Sequence, residues 1–216
     1  MRIIIWAASP KSVTATRLRR AVRAGADAIS VMVDGRAKQR TYHPYDRDRV
    51  DACRDALDRV HDVGMAAGIT VWAQPRAHTA IAWLAANFGP LDHLCLDAEE
   101  PWTQAEDYYV DAPADYAGAL TGMRSLYVTT LRRPTLRAVA LCAALDEIAT
   151  WIPQCYSAQH GVPQVAVCAA LPIPAKSRSG RWPSDPSVLT DLQQLAGPMR
   201  DRWYWQLGAL RSGMAL

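Results

Sequence analysis

The sequence predicts an α/β chain folded as a single (β/α)8 TIM-like barrel domain over residues 1–216. Three observations carry this expectation. Short apolar, β-rich runs alternate with helix-period segments along the whole chain. Most of the connections are short, as a parallel sheet built from βα units requires. Eight such units within 216 residues sit at the low end of the size range for this barrel. An open doubly wound sheet is the nearest rival, but no glycine-rich phosphate loop follows the first run, and a flavodoxin-like sheet needs fewer strands.

The expected strands are Ile3–Ala7, Ala28–Val33, Ile69–Ala73, Leu91–Leu96, Ser125–Thr129, Trp151–Tyr156, Gln164–Leu171 and Trp203–Leu207. Between them, Val13–Ala24 carries Val13, Leu18 and Val22 on one stripe, and Arg49–Ala67 repeats Val50, Cys53, Leu57 and Val60 at helical spacing. Further helices are expected at His78–Asn87, Pro113–Met123, Thr135–Ala149 and Pro186–Leu195, with stops at Gly25, Gly68 and Gly89-Pro90. Three connections are long: Gly35–Tyr45, Ala98–Ala112 and Pro172–Asp185. Each leaves the C-terminal end of a strand, the face on which barrel enzymes build their sites.

Composition narrows the function classes. Hydrophobic residues make up 50% of the chain and charged residues 21%, as in a soluble globular protein, and no apolar run reaches membrane-spanning length. The N-terminal apolar stretch Ile3-Ile4-Ile5-Trp6 is too short for a secretory signal. A cytoplasmic location is therefore expected, with another route, such as cell lysis in a phage programme, if the target lies outside. A net charge of +3, with acids and bases interleaved along Asp46–Arg59, argues against a nucleic-acid partner. The five cysteines (Cys53, Cys95, Cys142, Cys155 and Cys168) are odd in number and widely spaced, which reads as buried thiols. The five histidines show no metal-ligand spacing, so neither metal nor organic cofactor is expected. Of these, His93 is expected in the core, on the face of Asp97 but two pleats deeper.

The segment Leu94-Cys95-Leu96-Asp97-Ala98-Glu99-Glu100-Pro101-Trp102 carries the chemistry. Strand alternation points Asp97 and Glu99 the same way, into the mouth of the barrel. Two carboxylates in one partly desolvated site cannot both ionise easily, so one retains its proton. A proton donor beside a second carboxylate is what cleavage of a glycosidic bond needs. Trp102 offers a ring face for a sugar. Asp34 ends the second strand as a further carboxylate or as the start of an Asp-Gly turn. Glu100 is an additional candidate contact, although it also fits an ordinary loop acid. Tyr127, Gln154, Tyr156 and Gln206 are expected to hydrogen-bond a substrate. Trp6 and Trp72, with Trp205, are either core packing or stacking platforms.

Several segments resemble glycoside hydrolase family 25, the lysozyme-like barrels that cut peptidoglycan. Ala24-Gly25-Ala26-Asp27-Ala28-Ile29-Ser30-Val31 and Val63-Gly64-Met65-Ala66-Ala67-Gly68-Ile69-Thr70-Val71-Trp72 look like its second and third strands. Leu96-Asp97-Ala98-Glu99 matches its strand-four Asp-x-Glu motif, and Trp205-Gln206 is similar to its last strand. The resemblance implies a polysaccharide substrate, such as bacterial cell wall, with Glu99 as proton donor. Asp97 would then orient the nucleophilic group or stabilise the developing cation. That family has an aspartate at the end of strand one and another after the last strand; here stand Trp6-Ala7-Ala8, and nothing acidic follows Asp201. Two alternatives stay open: a non-catalytic glycan- or protein-binding barrel within a larger assembly, and a barrel enzyme that grips a small anion with the Ser177–Arg181 loop. Oligomeric state is not legible.

Overall fold

The computed structural model describes residues 2–33, 47–99, 102, 109–130, 135–153, 170–172, 201–205, 207–210, 212–213 and 216. The elements run β1 (Arg2–Ala7), a 3-10 turn (Pro10–Ser12), α1 (Ala15–Arg23), β2 (Ala28–Met32), α2 (Arg47–His61), β3 (Ala66–Trp72) and α3 (His78–Asn87). Next come β4 (His93–Ala98), α4 (Ala112–Leu120), β5 (Leu126–Thr130), α5 (Leu136–Ala144), β6 (Ala149–Pro153), β7 (Ala170–Pro172), β8 (Asp201–Trp205) and a 3-10 turn (Leu207–Ala209). The eight strands form one sheet in the order β6-β5-β4-β3-β2-β1-β8-β7. Every paired neighbour is parallel.

The sheet is curled into a (β/α)8 barrel, and side-chain contacts across it show the curl. Tyr127 on β5 and Trp203 on β8 stand five strands apart in the order, which is roughly 24 Å in a flat sheet. Their ring centroids are 4.9 Å apart. Alternation divides the apolar residues into two bodies. Ile4, Trp6, Ala28, Cys95, Tyr127, Ile152 and Trp203 pack together inside the barrel. Ile5, Ile29, Val31, Ile69, Val71, Leu94, Leu96 and Val128 face outward onto Leu18, Leu57, Val60, Ile81, Leu84 and Leu141 of the helices. Strands buried on both faces explain the near-continuous apolar runs in the sequence.

The barrel floor is closed by polar groups. The Arg2 backbone N–H donates to Asp201 Oδ1 (2.9 Å), Arg2 Nη2 donates to Tyr127 Oη (2.5 Å), and the Tyr127 hydroxyl donates to Asp201 Oδ2 (2.6 Å). Burial works against ionisation of Asp201, but these hydrogen bonds and the Arg2 charge outweigh it and hold its pKa below the usual value.

Several boundaries differ from the sequence expectation. The second helix stops at His61 rather than Ala67, because Gly64 takes a positive φ of 77° and turns the chain there. Gly68, expected as the stop, lies inside β3. A Cβ at this position would run into the ring and carbonyl oxygen of His93 on β4, so only glycine leaves room for the imidazole. β4 begins at His93, not Leu91, because the Asp92 carboxylate accepts from the Ala67 N–H (2.8 Å) and pairs with His61 (3.0 Å) just outside the sheet. It continues through Asp97, whose carbonyl accepts from the Ala73 N–H at 2.9 Å. α5 ends at Ala144, and β6 starts at Ala149, where a helix was expected to finish. The expected helix Pro186–Leu195 and the three long connections lie wholly or mostly outside the described residues. No helix among the described residues is long and apolar enough to cross a membrane.

Because the obstacle at Gly68 includes backbone, repacking cannot relieve it. Gly68→Ala is expected to destabilise the fold by about 1–3 kcal/mol, read as a lower urea midpoint without a change in slope.

Candidate functional site

The inner face of β4 carries His93, Cys95 and Asp97, ordered from the floor to the mouth. In register, Asp97 is flanked by Trp72 of β3 and Thr129 of β5, and Thr129 in turn by Ile152 of β6. Asp97 retains a little exposure as a residue, but its Oδ1 is shut off from solvent and has no partner among the described residues. Its carboxyl hydrogen-bonds to Glu99, the half-buried residue just past the strand. Burial, then the Glu99 charge and this hydrogen bond, push the Asp97 pKa well above its usual value. Asp97 is therefore the proton-holding partner and donates its hydrogen bond to Glu99.

The backbone of Glu99 is pinned from behind by Trp102. The Trp102 N–H donates to the Glu99 carbonyl (3.0 Å) and its indole Nε1 donates to the Ala73 carbonyl (2.7 Å). Its own carbonyl accepts from Thr135 Oγ1 (2.9 Å), the residue that caps α5. The ring is fully buried against Tyr116, which in turn donates to the Gln74 carbonyl at 2.5 Å. This corrects the expectation of a sugar platform at Trp102, since an indole with no exposed face cannot stack on a ligand.

Below Asp97 lies a small polar layer. Trp6 Nε1 donates to Thr70 Oγ1 (2.7 Å), and Thr70 Oγ1 shares a hydrogen bond with Ser30 Oγ (2.7 Å). Trp6 is buried against Trp203, ring centroids 4.7 Å apart, so it is core packing and not a substrate platform. Burial pushes the Cys95 thiol far up, which leaves it a protonated space-filler. His93 lies deeper, as expected, with its ring edge-on to Trp203 (5.5 Å) and Tyr127 (6.2 Å). Burial, helped by the Arg2 charge, brings its pKa down to about 3, and the imidazole is neutral.

Tyr127 requires a second correction. It shares the inner face with the mouth residues, but its hydroxyl is committed to Arg2 and Asp201 at the floor, the wrong end of the barrel for a ligand. Among the sequence candidates, Asp97, Glu99 and Trp72 are brought together. Asp34, Glu100, Gln154, Tyr156 and Gln206 lie outside the described residues. Sequence reasoning missed Thr129, buried at the mouth beside Asp97. Its parity with Tyr127 was the available signal. No group of three or more His, Cys, Asp or Glu side chains suited to a metal ion occurs among the described residues.

No family model matches the chain, and no curated protein does. Among solved structures it is similar to D-psicose 3-epimerase with D-tagatose from Clostridium cellulolyticum H10. That likeness has 8% identity and a TM-score of 0.48, over 97% of this chain and 89% of the other. It is also similar to dihydropteroate synthetase with Product1, at 13% identity and a TM-score of 0.43, over 96% of this chain and 89% of the other. Likenesses of this size have no bearing on what the chain binds or converts.

Two outcomes follow from the geometry. The unfolded chain releases the Asp97 proton above about pH 4, whereas the folded chain keeps it. The folded state then binds more protons, and stability falls as pH rises towards the folded pKa. Asp97→Asn, which mimics the neutral acid, should flatten this decline in thermal midpoints measured from acid to neutral pH. Tyr127→Phe should leave Asp201 short of a donor and cost about 1–3 kcal/mol in denaturant unfolding. It should not change ligand binding at the mouth.

Proposed function

We propose that this protein is a glycoside hydrolase-like barrel that cleaves a polysaccharide, with bacterial peptidoglycan as the leading substrate. The observation that carries the reading is the hydrogen-bonded Asp97–Glu99 pair at the C-terminal end of β4, in which Asp97 holds the proton. A buried acid in contact with a second carboxyl provides both functions that cleavage requires. Glu99, further out, meets the glycosidic oxygen and passes to it the proton that Asp97 holds in their shared hydrogen bond, as the carbon–oxygen bond breaks. Asp97, left ionised beneath it, stabilises the developing cation. Water then adds its hydroxyl to the anomeric carbon, and its remaining proton returns to the pair. The sequence resemblance at Leu96-Asp97-Ala98-Glu99 supports the same reading.

A glycan-binding barrel without turnover is the second reading. It is favoured by the end of β1, where Ala7 and Ala8 stand in place of an acid.

Reducing-end release from purified peptidoglycan, chitin and cellulose separates the two. Wild type should release ends from at least one polymer. Glu99→Gln should lose on the order of 10²–10⁴-fold in rate while remaining folded by circular dichroism. Asp97→Asn should also be impaired, because the amide cannot return a proton. Silence from wild type on every polymer, with retained binding that Glu99→Gln leaves intact, would move the assignment to the binding barrel.

A further inference from the structure

Two buried polar atoms at the barrel mouth face inward without a partner among the described residues: Asp97 Oδ1 and Thr129 Oγ1. Thr129 is 1% exposed. Both residues occupy one register level on adjacent parallel strands and project from the same face. Directly opposed side chains on neighbouring strands begin roughly 5 Å apart, a gap that one oxygen atom can bridge. Such orphaned groups are uncommon in a folded interior, because each has given up its water and gained nothing in return.

We infer that Asp97 Oδ1 and Thr129 Oγ1 form a two-point seat that takes one hydroxyl group of a neutral, hydroxylated ligand. This deepens and rests on the glycosidase reading above. A hydroxyl both donates and accepts, so it can donate to Asp97 Oδ1 while accepting from the Thr129 hydroxyl. An anionic group has no proton for Asp97 Oδ1 and would also meet the charge of Glu99. The seat therefore selects a saccharide hydroxyl over a phosphate or carboxylate. Trp72 stands at the same level on the other side of Asp97 and is 8% exposed. Thr129 is accordingly a substrate-binding residue, contributing contact and orientation but no proton transfer.

The test compares wild type, Thr129→Val and Thr129→Ser. Valine has nearly the same shape and removes the hydroxyl; serine keeps it. Soluble chito-oligosaccharides, cello-oligosaccharides and muropeptide fragments serve as probes in calorimetric titration and in reducing-end assays. For the probe that binds wild type, Thr129→Val should weaken binding and raise KM about tenfold, the effect of one hydrogen bond. Thr129→Ser should recover most of that loss. The thermal midpoint of Thr129→Val should stay level or rise, since a hydroxyl without a protein partner is being removed. Unchanged affinity and KM in Thr129→Val overturn the seat and leave the glycosidase reading standing. A lowered thermal midpoint with unchanged affinity also overturns the seat, by showing that the hydroxyl serves the fold. Failure of wild type both to bind any probe and to release reducing ends overturns the seat together with the glycosidase reading.

Discussion

The contact of Trp203 with Tyr127 across the barrel sets the terms for everything else in the molecule. It commits β5 and β8 to facing walls of one curled sheet, and the interior between them must then be filled at the density of a solid. Large rings do most of the filling: Trp6 and Trp203 lean on each other, and His93 meets both Trp203 and Tyr127 edge-on. The filling has a sharp steric limit at β3, where Gly68 is the only residue small enough to lie beside the imidazole. Carboxyl groups stand at the two ends of this packed interior, Asp201 at the floor and Asp97 at the mouth.

Different partners give those two ends opposite electrostatics. At the floor, Asp201 receives hydrogen bonds from Tyr127 and Arg2 and stays ionised despite its burial. At the mouth, Asp97 has lost its water and has another carboxyl for company, so it stays protonated. The same residue type is driven in opposite directions by its neighbours, which is how one scaffold separates an anchoring carboxylate from an acid. The backbone of Glu99 is not left to a loose loop. Trp102 ties it to the end of β3 and to the cap of α5.

Much of this was legible in the sequence, and what was not has identifiable causes. Strand alternation was enough to bring Asp97 and Glu99 to one face, because a period of two needs only local chain geometry. Depth along the barrel axis was legible within a strand, as for His93 below Asp97, but not from one strand to the next. Tyr127 and Thr129 have the same parity, and only strand tilt and stagger decide which one comes level with Asp97. Trp6 and Trp102 failed as platforms for a related reason. Each indole was placed near the site correctly in sequence, but each found a buried acceptor, Thr70 and Ala73 respectively, which no local pattern reveals. The helix stop was misread at Gly68 because a glycine required by a cross-strand imidazole looks the same in sequence as one that turns the chain.

The floor network has a consequence for how the protein is made. Arg2 and Asp201 are 199 positions apart, yet the Arg2 backbone N–H donates to the Asp201 carboxylate, and β1 lies between β2 and β8. During synthesis β1 therefore has one neighbour early and waits for β8 before gaining the second. Until then its open edge, Ile3-Ile4-Ile5-Trp6, is an apolar template for any passing strand. Non-local closure of this kind is slow. The apolar edge of β1 is thus made long before the strand that covers it.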